Sequence, residues 1–145
     1  VTTVYLIRHA EALAREDWSE DDKDRPLTEK GEKQALALAK TLAKCGINEI
    51  RTSPATRCRE TAAPLASALK LPLVVDPELA EGGAALRLRF AGPNYALCSH
   101  GDRIPATLDE LGIKWEKCKK GSVWVVGFDK TGRVIKTDYL APDDR

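Results

Sequence analysis

Val4-Tyr5-Leu6-Ile7-Arg8-His9-Ala10 and Tyr95-Ala96-Leu97-Cys98-Ser99-His100-Gly101 decide how this chain folds. Each opens on an unbroken apolar run rich in β-formers and closes on a histidine. Short runs of this kind read as strands buried on both faces. The segments between them carry helical spacing. Ala35, Leu38, Ala39, Leu42 and Ala43 repeat with the helical period, behind Thr28 as N-cap and ahead of Gly46 as a stop. Residues 47–52 read as a second strand, and Ser53-Pro54 turns the chain into a second helix. Cys58, Ala62, Leu65, Ala66 and Leu69 form that helix's apolar face. Pro64 lies inside it and is expected to kink or divide it. Residues 71–75 read as a third strand, 95–98 as a fourth, and 104–111 as a third helix. Residues 122–128 and 133–139, joined at Lys130-Thr131-Gly132, read as a hairpin. Strands alternating with helices predict an α/β fold. It is a three-layer sandwich with a mainly parallel central sheet, helices on both faces and an antiparallel C-terminal hairpin.

The bulk numbers narrow the function. The 145 residues suit a single domain over 1–145, without repeat or linker. The 23 basic and 22 acidic side chains leave a net charge of +1, so neither a nucleic acid polymer nor a membrane is the expected partner. No apolar run reaches the roughly 18 residues of a membrane span. A strand that starts almost at residue 1 leaves no room for a leader. Cys45, Cys58, Cys98 and Cys118 make no CxxC pair. A cytoplasmic protein with reduced thiols is therefore expected.

His9 and His100 are the only histidines, and both follow a predicted strand. In open α/β sheets, ligands bind beyond the carboxyl ends of strands. If the two strands are parallel neighbours, both imidazoles enter one crevice. Arg57 starts a helix beyond another strand end, where a helix dipole disfavours a cation unless an anion is bound there too. Arg8, His9, Arg57 and His100 thus compose a candidate pocket for a dianion. Arginine matches phosphate oxygens with planar, paired donors, and a neutral imidazole is a nucleophile near pH 7. Other readings are weaker. Cys98 and Arg103 have one residue too few between them for a cysteine phosphatase loop. The acidic stretch Glu16, Asp17, Glu20, Asp21, Asp22 and Asp24 lacks the Gly-centred alternation of a calcium loop and reads as a solvated rim. Trp18, in that stretch, either covers a substrate or packs on the scaffold.

Leu6-Ile7-Arg8-His9-Ala10-Glu11-Ala12 resembles the signature of the histidine phosphatase, or phosphoglycerate-mutase-like, superfamily. Arg25-Pro26-Leu27-Thr28 with Gly31, then Ser53-Pro54-Ala55-Thr56-Arg57 with Thr61-Ala62, then Ser99-His100-Gly101 resemble its further motifs in order. The resemblance covers nearly the whole chain. It is closest to SixA-type phosphohistidine phosphatases and to the phosphatase-like domain associated with bacterial MutT-type Nudix proteins. It implies a metal-independent phosphatase, without cofactor, that works through a phosphohistidine on His9. Arg8 and Arg57 would grip the phosphoryl group and His100 would stabilise its transition state. Glu81 matches the position of the proton donor best, with Asp102 and Glu78 as competitors. The substrate would be a phosphorylated small molecule, a nucleotide or a phosphohistidine protein. The alternative is a phosphate-binding module partnering a Nudix-type hydrolase. Ala10 departs from the glycine common after the histidine, and its methyl is expected to narrow the pocket floor slightly. Loops 11–27 and 78–94 would shape the rim.

Overall fold

In the computed structural model, which describes residues 1–142, the chain runs β1 (Thr2–Arg8), α1 (Glu29–Leu42), β2 (Glu49–Thr52), α2 (Thr56–Leu69), β3 (Leu73–Val75), β4 (Tyr95–Ser99), α3 (Arg103–Glu110), β5 (Val123–Phe128) and β6 (Val134–Leu140). The six strands form one sheet in the order β3-β2-β4-β1-β5-β6. The pairings β3-β2, β2-β4 and β4-β1 are parallel. β1-β5 and the hairpin β5-β6 are antiparallel.

The apolar runs occupy the middle of this sheet because they are covered on both sides. Tyr5, Ile7, Ala96 and Cys98 pack under α1 and α2, against Leu38, Leu42, Cys58 and Leu65. Val4, Leu6 and Leu97 face the other way, under Ile104 and Leu108 of α3 and under Leu79 and Leu86. Each large aliphatic side chain buried in this way contributes about 1.5–3 kcal/mol relative to exposure. Alternate residues therefore feed two cores, and the predicted three-layer sandwich is the fold observed.

Thr28 caps α1, its hydroxyl accepting from Gly31 N at 3.0 Å. Gly31 is required here. A Cβ at this position would stand 1.9 Å from the Glu11 carbonyl oxygen. That close approach clamps the segment after β1 onto the helix, where Thr28 N also donates to Glu11 O. Pro64 does not divide α2, which runs as one helix from Thr56 to Leu69. Ala62, Leu65 and Ala66 are buried around it, so packing holds the helix together across the missing N–H. No helix among the described residues is long and apolar enough to cross a membrane. All four cysteines are free thiols.

Candidate active site

The register Arg8↔Ser99 sets the ends of β1 and β4 side by side, and His9 N donates to Ser99 O at 3.1 Å. His9 and His100 each stand one residue beyond these paired ends. Their rings meet edge to face, with centroids 5.5 Å apart. The two imidazoles are therefore neighbours, as the sequence leads one to expect, but only His9 lines the cleft, while His100 is buried beside it. β2 ends beside β4, and Ser53 N donates to Cys98 O, which brings the start of α2 to the same point.

His9 is 5% exposed. Its Nδ1 lies 2.8 Å from the Ala10 carbonyl oxygen. A carbonyl only accepts, so Nδ1 carries the proton and Nε2 of the neutral ring keeps its lone pair. Burial pushes the His9 pKa down to about 3. The Ala10 hydrogen bond opposes this shift, while the charges of Arg57, His100 and Arg8 add to it. The imidazole is thus neutral with Nε2 unprotonated at ordinary pH.

Arg57 is 2% exposed. Its Nη1 donates to Asp22 O at 2.9 Å, and its Nη2 lies 3.3 Å from Asp22 Oδ2 and 3.4 Å from Glu81 Oε2. Arg8 Nη1 donates to Cys118 O at 2.6 Å. Gly101 lies flat against the Arg8 guanidinium, where an added Cβ would stand 2.6 Å from Cζ. His100 is buried, with Nε2 2.8 Å from Ser53 Oγ and Nδ1 3.7 Å from Glu81 Oε2. Arg8 Nε, Arg57 Nε and His100 Nδ1 are buried and have no hydrogen-bond partner among the described residues. Buried polar atoms are paired in nearly all folded proteins, so these three orphans near one neutral imidazole, with Ser122 Oγ as a fourth, are an unusual concentration.

Residues 4–88 match the family model of the histidine phosphatase superfamily, branch 1. The chain belongs to the histidine phosphatase superfamily. An 8-oxo-(d)GTP phosphatase of Mycolicibacterium smegmatis is 32% identical over 158 residues, covering 98% of this chain and 49% of that protein. The chain therefore spans about half of this relative's length. A SixA chain from Agrobacterium tumefaciens has the same fold with a TM-score of 0.73 and 26% identity, over 97% of this chain and 98% of that one. The protein histidine phosphatase SixA complexed with tungstate gives a TM-score of 0.77 at 22% identity, over 97% of each chain.

In this histidine phosphatase fold two of the three carboxylates considered as proton donors, Glu81 and Asp102, line one cleft, and Glu78 lies outside it. Glu81 reaches Arg57 and His100, and it also pairs with Arg15 Nη2 at 3.2 Å. Asp102 lines the same cleft, but its Oδ2 accepts from Gly82 N at 2.8 Å. Glu78 lines a separate depression beside Arg51, Arg87 and Arg103. The cleft holds about 1080 Å³ and is walled by Arg8, His9, Glu81 and Asp102, by residues 11–17, and by Lys119 and Lys120.

Two residues have roles that the sequence does not assign them. Thr61 Oγ1 accepts from Ala10 N at 2.9 Å and donates to Arg57 O at 2.6 Å, joining the two histidine-flanking elements. Asp22, read only as a rim residue, pairs with Arg57 and Arg25. Burial pushes its carboxyl up, but the Arg25 hydrogen bond and the Arg57, Arg25 and Arg15 charges outweigh that and hold it below its ordinary value. No local pattern marks one aspartate of an acidic loop over its neighbours. The Ala10 methyl does not narrow the floor: it is fully buried and packs with Leu27 and Ala35. Trp18 donates to Asp21 O within its own loop and does not line the cleft.

Proposed function

We propose that this chain is a metal-independent phosphatase, hydrolysing a phosphomonoester or phosphoramidate through a phosphohistidine on His9. One observation carries the reading: the unprotonated His9 Nε2 belongs to a buried cluster with Arg8, Arg57 and His100, in which Arg8 Nε, Arg57 Nε and His100 Nδ1 have no partner among the described residues. A phosphoryl group satisfies all of them at once. His9 Nε2 attacks phosphorus, and the bond from phosphorus to the leaving group breaks. The Arg8 and Arg57 guanidiniums and the His100 N–H hold the phosphoryl oxygens as charge gathers on them, a form of stabilisation worth several kcal/mol. The Glu81 carboxylate, beside Arg57 and His100, takes a proton from solvent and passes it to the leaving group. It then takes a proton from the water that attacks the phosphohistidine, which restores His9 and releases phosphate.

The likeness to the 8-oxo-(d)GTP phosphatase supports a nucleotide among the substrate classes, beside a small phosphometabolite and a phosphohistidine protein. Because the match covers about half of that relative, a second reading has footing. There the chain is a phosphate-binding module that partners a Nudix-type hydrolase and does little chemistry itself. Trapping separates the two. The protein is mixed with an aryl phosphate, quenched in base and analysed by mass spectrometry. The phosphatase reading expects an acid-labile, base-stable phosphate on His9 and no turnover by His9→Ala. Turnover retained in His9→Ala removes the nucleophile assignment. Absence of both adduct and turnover favours the binding module.

A further inference from the structure

On the cleft wall several cations are already paired, while the carboxylates of Glu16, Asp17 and Asp102 line it without a cation partner among the described residues. Arg15 pairs with Asp22 and Glu81, Arg25 with Asp22, and Lys30 with Glu11. Lys119 and Lys120 line the same cleft, are exposed, and pair with no carboxylate among the described residues. Their turn is not a loose surface loop. Gly121 N is shared between Arg8 O at 3.1 Å and His9 O at 3.0 Å, and Ser122 N closes the turn onto Lys119 O at 2.9 Å. Two aromatic side chains hold it from behind. Trp124 Nε1 donates to Lys117 O at 2.9 Å, and Tyr139 OH accepts from Lys119 N at 3.2 Å. Between those two anchors, Cys118 O receives Arg8 Nη1. The turn that carries both lysines is therefore fastened to the His9 backbone and to the Arg8 guanidinium.

We infer that Lys119 and Lys120 form a second anion subsite, which takes the phosphate next to the reacting one in a di- or triphosphate ester. The inference rests on the reading above, in which Arg8, Arg57 and His100 hold the reacting phosphate, and adds the substrate's shape to it. A turn held at its backbone needs no backbone ordering on binding, so the entropic cost is confined to the two lysine side chains. Two further ammonium groups beside the first phosphate site favour a group of higher negative charge and greater length over orthophosphate. A monoester of an uncharged alcohol gains nothing from them.

The test uses binding and not turnover, so it survives failure of the catalytic reading. Titration calorimetry compares inorganic pyrophosphate with orthophosphate on the wild type, on His9→Ala and on K119Q/K120Q. The wild type and His9→Ala are expected to bind pyrophosphate more tightly than orthophosphate. K119Q/K120Q should lose roughly tenfold of that preference, about threefold for each exposed charge pair. Equal binding of the two anions by the wild type overturns the inference, as does a preference that survives in K119Q/K120Q. A missing phosphohistidine together with an intact, lysine-dependent preference removes the phosphatase reading and leaves the subsite standing.

Discussion

His9 shows how one residue is set by what surrounds it. The residue types beside it do not distinguish its two ring nitrogens, but the folded backbone turns the carbonyl of the next residue, Ala10, onto Nδ1, which therefore holds the proton and leaves Nε2 bare. Burial then shifts the group from its ordinary 6.5 to about 3. Two expectations follow from that value. In heteronuclear NMR the His9 ring should titrate near 3, with the Nδ1–H tautomer dominant at neutral pH. A midpoint near 6.5 would contradict the burial argument. Stability follows by linkage. The folded pKa lies below the unfolded one, so between them the unfolded state binds the extra proton. Stability is full above about 6.5 and is lost as pH falls towards 3. At about pH 5 the loss traceable to His9 is about 2 kcal/mol. Urea unfolding at about pH 7.5 and about pH 5 should therefore show His9→Gln losing about 2 kcal/mol less on acidification than the wild type does.

Among the elements, α2 does the most to assemble the site. Its first turn carries Arg57 and its second carries Thr61, and Thr61 ties the helix to the residue after His9. Thr61 is fully buried. Thr61→Val keeps the shape but strands the Ala10 N–H, which should cost about 1–3 kcal/mol. It should also lower kcat/KM, because the link between the His9 loop and α2 is gone. Thr61→Ser retains the hydroxyl and should keep both properties closer to wild type. Denaturant unfolding and aryl phosphate kinetics on the pair check this, and an equal effect from both variants would assign the role to the methyl. The sequence placed α2 and its apolar face correctly, since five apolar residues at helical spacing leave little choice. The expected division at Pro64 does not occur, because local propensity counts the lost hydrogen bond but not the packing of Ala62, Leu65 and Ala66 around it. Thr61 was visible only as part of a motif, since its partner lies 51 residues away.

Across the whole molecule, a net charge of +1 says little about ligands, and the chemistry lies in local concentration. In the proposed mechanism the Arg8 and Arg57 guanidiniums and the His100 ring hold the phosphoryl group, so activity should not depend on a metal. Dialysis against a chelator is expected to leave kcat/KM for an aryl phosphate unchanged, and a strict requirement for a divalent ion would sink the mechanism. The sequence by itself determined the strand and helix order, the two buried strand ends and the choice of Arg8, His9, Arg57 and His100 as candidates. Apolar periodicity and strand-end histidines are local patterns, readable without knowing what packs where. Only the tertiary structure decided that β4 lies between β1 and β2, which makes two distant histidines neighbours 5.5 Å apart. It also decided that Glu81, rather than Glu78, stands beside Arg57, and that the Ala10 methyl turns away from the pocket. Those outcomes depend on contacts between segments far apart in the chain, and strand order and loop conformation are settled by how the two cores close over the sheet.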